Sequence, residues 1–133
     1  MDELIELATK ARKSAYAPYS SFAVGASVLT EKGVYSGCNV ENASLGGTVC
    51  AERVALFKAV SEGSRRLLAV AIVANTTTPC PPCGFCRQVM VEFGPSCSVV
   101  MANLDGSRKI MQLDELLPES FSPSLIKDDR TDA

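Results

Sequence analysis

Cys50-Ala51-Glu52-Arg53-Val54-Ala55-Leu56-Phe57-Lys58-Ala59-Val60, then Leu67-Leu68-Ala69-Val70-Ala71-Ile72-Val73-Ala74, then Pro82-Cys83-Gly84-Phe85-Cys86-Arg87-Gln88: these three blocks decide the fold. In the first, only Glu52, Arg53 and Lys58 are charged, the pattern of a largely buried helix. The second is apolar throughout, as a strand covered on both faces should be. The third follows Pro81-Pro82, which suit the lead-in to a helix better than its interior. From Gly84 to Phe93 the pattern is again helical. Helix, buried strand and helix in succession predict an α/β layered fold built on one mixed sheet.

Working outward, Glu3 to Ala15 reads as a helix with an apolar stripe of Leu4, Leu7, Ala8 and Ala11. Ala17-Pro18-Tyr19-Ser20-Ser21 ends it. Phe22 to Thr30 and Val34 to Val40 read as hairpin strands around Glu31-Lys32-Gly33. Glu41 to Val49 is a loop. The helix from Cys50 ends near Gly63, and Thr76 to Pro82 is a loop. Past the third block, Ser98 to Ala102 is a strand, Asn103 to Gly106 a turn and Arg108 to Gln112 a short strand. Asp114 to Leu117 is a helical turn. One domain over 1–126 is expected, with a loose polar tail over 127–133.

The same blocks carry chemistry. Cys83 and Cys86 have the Cys-x-x-Cys spacing with which two sulfurs grip one metal ion. Cys50 adds a third sulfur and Glu52 a carboxylate. A catalytic zinc uses three protein ligands and keeps its fourth position for water, while a nearby carboxylate can move protons. Thiolates are favoured at helix N-termini, so the zinc is expected between the starts of two helices. The Cys50/Glu52 spacing agrees only if Cys50 begins its helix. Residues i and i+2 diverge on a helix side and converge only at the first turn. Arg53 and Arg87, each next to a ligand, are expected to offset the surplus thiolate charge by hydrogen bonding to sulfur.

Composition bounds the function. The net charge of −2, with no basic run, argues against a polynucleotide substrate, whose phosphates demand a cationic footprint. No apolar run approaches the ~18 residues of a membrane span, and Met1-Asp2-Glu3 does not begin a signal peptide. A cytoplasmic protein without membrane partners is expected. There is no histidine. A metal site must therefore use sulfur or oxygen, and a general base must be something other than imidazole.

The zinc-dependent nucleoside and nucleobase deaminases carry [His/Cys]-x-Glu followed by Pro-Cys-x-x-Cys. Cys50-Ala51-Glu52 and Pro82-Cys83-Gly84-Phe85-Cys86 match in order and spacing. The all-cysteine version, with Cys-Ala-Glu-Arg and Pro-Cys-Gly-x-Cys-Arg-Gln, resembles the small homotetrameric cytidine deaminases. The likeness extends through Tyr16 to Ser20, Phe22 to Ala26, Gly37 to Ala43 and Glu115 to Pro118. It implies a three-layer α/β/α sandwich with a five-stranded mixed sheet and one Zn²⁺ per subunit, on Cys50, Cys83 and Cys86. It implies hydrolytic deamination of cytidine and 2′-deoxycytidine, with Glu52 as the catalytic proton carrier. Asn39 and Glu41, two apart and on one strand face, would hold the ribose. Phe22 would flank the nucleoside, and the Ala51 N–H would donate to the pyrimidine O2. Phe121 would reach the base from a neighbouring subunit, giving a homotetramer with shared sites. Leu45 departs from the family's usual aromatic residue.

Other readings compete. Cys80-Pro81-Pro82-Cys83 is also Cys-x-x-Cys, so a closed four-sulfur structural site is an alternative. So is a dithiol redox pair at Cys83 and Cys86, or three merely buried cysteines. Cys38 and Cys97 read as packing. Among enzymes, a purine-ring deaminase or a deaminase of a modified cytosine nucleoside is the alternative. Outside them stands a zinc-stabilised module without chemistry.

Overall fold

A computed structural model describes residues 1–127 of the chain. The strands are β1 (Val24–Thr30), β2 (Gly33–Cys38), β3 (Leu67–Ala74), β4 (Ser98–Asn103) and β5 (Arg108–Gln112). They form one sheet in the order β2-β1-β3-β4-β5. β3 and β4 are parallel, and every other pair is antiparallel. The helices are α1 (Asp2–Arg12), α2 (Ala51–Ser61), α3 (Gly84–Phe93), α4 (Leu113–Leu116) and α5 (Pro123–Ile126). α5 was not expected from sequence. The polar tail expected over 127–133 begins at exposed Lys127, and residues 128–133 lie outside the described residues.

β3 shows why the layers are three. Its side chains alternate between two cores. Val70, Ile72 and Ala74 face the side of α2 and α3, where Ala55, Leu56 and Met90 complete the packing. Ala69, Ala71 and Val73 face α1, through Leu4 and Ala8. Both faces are dry, so the strand reads as continuously apolar. Of the expected α1 stripe, Leu4 and Ala8 are buried, while Leu7 is 38% exposed. The i, i+4 pair seats the helix, and Leu7 lies off the contact line.

Two glycines set how closely the helices approach. A Cβ on Gly25 would come within 1.9 Å of the Ala8 carbonyl oxygen, so α1 lies directly on the β1 backbone. A Cβ on Gly37 would meet Ala55 N and Val54 Cγ1 at 2.8 Å on the opposite face. Close seating of α2 carries its first turn to the open end of the sheet, beside the loop from β3 to α3. That is where the cysteines meet.

Candidate active site

Cys50 is the N-cap of α2 and Cys83 the N-cap of α3, both with extended backbone. Their sulfurs are 3.7 Å apart, and that of Cys83 is 3.3 Å from that of Cys86. All three lie within 4.8 Å of one another. Sulfurs sharing a tetrahedral zinc at about 2.3 Å sit about 3.8 Å apart, so this donor set fits the ion. The Cys86 N–H points at the Cys83 sulfur (3.4 Å), so the N-cap side chain accepts from the first turn of α3. The Cys86 thiol leads in drawing Cys50 down to about 5, with Arg53 adding to the effect. The cost falls on Cys86, whose pKa is raised chiefly by its hydrogen bond to Cys50.

Cys80 lies outside this trio, and its thiol donates to the Pro81 carbonyl. The four-sulfur alternative therefore lacks its fourth ligand in this arrangement. The redox alternative gives no account of Cys50 standing against the pair. Cys97 is packed in the core, and burial raises its thiol to about 12.

Glu52 is buried in the first turn of α2. Burial pushes its carboxyl up to about 7, and the neighbouring Cys50 sulfur adds to the rise. It faces a cavity of about 250 Å³ whose wall also includes Phe22, Asn39, Glu41, Cys50, Ala51 and Cys83. Ala51 is the first residue of α2, where a backbone N–H has no acceptor inside the helix. A larger concavity of about 790 Å³ follows α1, but its charged lining is the solvated face of a single helix.

The remaining predicted residues are placed less uniformly. Asn39 is pinned: its Oδ1 accepts from Val24 N (2.9 Å) and its Nδ2 donates to the Phe22 carbonyl (2.7 Å). Glu41 accepts from Tyr19 N (2.9 Å), Ser20 N (3.1 Å) and the Ser20 hydroxyl. The Ser20 hydroxyl leads in holding its carboxyl below the usual range. Arg53 Nη2 lies 3.6 Å from the Cys50 sulfur, as expected. Burial opposes the Arg53 charge, but hydrogen bonds to Cys50 and Cys86 outweigh it and raise its pKa. Arg87 differs from expectation. In place of a sulfur it donates to the carbonyls of Pro82 (2.9 Å) and Leu116 (2.8 Å). Its planar fork reaches across to α4 and fixes the segment before Cys83. Phe121 is 60% exposed and stands outside its own chain's cavity, over α3, where Gln88 donates to its carbonyl. Leu45 opens a short 3₁₀ turn, 73% exposed and away from the cavity wall.

Ser20, Thr48 and Cys80 also line the cavity; the sequence offers no such role for Ser20 or Thr48, and offers Cys80 only as a fourth sulfur ligand. Ser20 stood within a recognised segment, but nothing local ties it to a carboxylate 21 residues away.

Residues 1–102 match the model of the cytidine and deoxycytidylate deaminase zinc-binding region. The chain belongs to this deaminase family. The match spans all three sulfurs and Glu52. The chain is 51% identical over 127 residues to the cytidine deaminase of Halalkalibacterium halodurans, covering 94% of this chain and 96% of that one. It is 45% identical over 115 residues to the cytidine deaminase of Mycobacterium tuberculosis, covering 86% and 84%. Its fold resembles the crystal structure of cytidine deaminase from Burkholderia pseudomallei, with a TM-score of 0.87 at 50% identity, over 90% of this chain and 98% of that one. The single five-stranded mixed sheet is thus the deaminase fold, and the cysteine trio lies within its zinc-binding region.

Proposed function

We propose that this chain catalyses hydrolytic deamination of cytidine and 2′-deoxycytidine to uridine and 2′-deoxyuridine plus ammonia, in cytoplasmic pyrimidine salvage. The observation that carries this reading is a buried carboxylate, Glu52, in one cavity wall with two of the three clustered sulfurs. Cys50, Cys83 and Cys86 would hold Zn²⁺, which when bound supplies Lewis-acid activation of water.

The chain's own groups supply the rest. Glu52 accepts the first proton of the attacking water and passes it to N3 of the ring as the C4–O bond forms. It then moves the remaining hydroxyl proton to the amino nitrogen. The C4–N bond breaks, and ammonia leaves behind a C4 carbonyl and an N3–H. One carboxylate serving both transfers needs a dry, fixed position, and Glu52 at 4% exposure has one. The Ala51 N–H is assigned to the pyrimidine O2. Asn39 and Glu41 are assigned to the ribose, the first already fixed by its two backbone bonds. Phe22, 42% exposed at the cavity, is assigned to flank the nucleoside. Arg53 offsets thiolate charge, and Arg87 holds the loop that carries Cys83.

Phe121, remote from its own cavity, is assigned to a neighbour's site in a homotetramer. A cavity of about 250 Å³ whose wall lacks this ring supports a site completed by another chain. The test is the ultraviolet absorbance of cytidine and of 2′-deoxycytidine incubated with the protein. Conversion to the uridine spectra is expected. An unchanged cytidine spectrum with zinc-loaded protein overturns the reading.

A further inference from the structure

Phe85 occupies the interior of the Cys83–Cys86 spacing, yet it is 66% exposed. So exposed a ring gains little from burial, but its face is used. The Arg53 Cζ stands 4.3 Å from the ring centroid, inside the ~6 Å within which a cation is attracted to an aromatic face. Arg53 has few other anchors. Its Nη2 contacts with the Thr48 carbonyl (3.4 Å) and the Cys50 sulfur (3.6 Å) are long, and its other partner, the Cys86 sulfur, is a weak acceptor. Its Nε is buried and makes no hydrogen bond among the described residues. Hydrogen bonds alone leave the plane of this guanidinium loosely set.

We propose that Phe85 is a positioning residue whose ring clamps the Arg53 guanidinium against the sulfur cluster. The clamp joins the two ligand-bearing helices. Arg53 follows Cys50 in the first turn of α2, and Phe85 lies between Cys83 and Cys86 at the start of α3. Three thiolates on Zn²⁺ leave one surplus negative charge. A cation held at fixed range offsets it, and a mobile one does so less well. Phe85 thus acts on the metal through Arg53. The inference rests on the zinc reading of the site.

The test replaces Phe85 with phenylalanines carrying one, two and three ring fluorines. These keep the shape nearly constant while weakening the negative ring face stepwise. Zinc content is measured first, and then the rate of zinc transfer to a chromogenic chelator. Transfer should quicken with each fluorine, reaching about two- to five-fold for the third. Phe85→Leu should match the most fluorinated ring, and Phe85→Tyr should match the native one. The thiolate charge-transfer band of cobalt-substituted protein should shift in the same order. Wild-type protein that binds no zinc at these sulfurs would overturn the metal reading and this inference with it. Zinc bound normally, with a transfer rate flat across the series, overturns the clamp alone.

Discussion

Cys80 and Cys50 are both half-buried thiols lining the cavity, yet they have opposite expected roles. Cys50 stands 3.7 Å from Cys83, while the Cys80 thiol turns to the Pro81 carbonyl. Cys50→Ala should therefore abolish stoichiometric zinc, and Cys80→Ala should retain it, as read by metal analysis of purified protein. Zinc lost from Cys80→Ala and kept by Cys50→Ala would return the site to the four-sulfur alternative. Asn39 makes a second residue-scale case. Asn39→Ala leaves the buried Val24 N–H without its side-chain acceptor, at a cost of about 1–3 kcal/mol, and frees the part-buried Phe22 carbonyl. Denaturant midpoints should register that loss of stability separately from any loss of nucleoside affinity. The metal trio was legible in sequence because its spacing is local within each block. The aim of Arg87 was not, because its choice of Leu116 over a sulfur depends on where α4 packs. Likewise, a Phe inside Cys-x-x-Cys gives no local sign that it meets an arginine from another helix.

At the scale of elements, the seating of α1 and α2 on glycine backbone makes a sharp prediction. Gly25→Ala would drive a methyl into the Ala8 carbonyl and the Arg12 N–H. The obstructing atoms are helix backbone and cannot rotate away, so α1 must lift. Overpacking of this kind costs about 1–3 kcal/mol or more. Gly46→Ala, whose Cβ would meet nothing within 4 Å, should be nearly silent in the same urea titration. Equal midpoints for the two variants would contradict the close-packed layers. The sequence located these elements well, because β3 and α2 are nearly continuous apolar runs and α3 has a one-sided apolar pattern. It placed β1 two residues early, at Phe22 rather than Val24, because Phe22 continues the apolar run. In the structure that ring leaves the sheet for the cavity. Leu7 belongs to the apolar stripe of α1 by spacing but not to its packed face. A stripe of four positions was read where contact with Gly25 narrows the buried face to Leu4 and Ala8.

For the whole molecule, among the described residues no helix is long and apolar enough to cross a membrane. The proposed assembly places Phe121 of one chain at the cavity of another. Phe121→Ala should then lower kcat/KM roughly two- to twelve-fold, the equivalent of about 0.5–1.5 kcal/mol of stacking, with zinc unchanged. Mixed refolding of Phe121→Ala with Glu52→Gln protein should recover activity above either parent, because some sites would pair an intact Glu52 with an intact Phe121. Mixed oligomers that recover nothing would place Phe121 in its own subunit's service. Cavity, metal and reaction are joined in one claim, that Glu52 carries protons and does not hold the metal. Glu52→Gln protein therefore decides most directly, with zinc content and cytidine turnover measured on the same sample. One zinc per chain is expected to remain, with turnover reduced by roughly 10²–10⁴-fold or more. Near-native turnover with zinc in place would contradict the account.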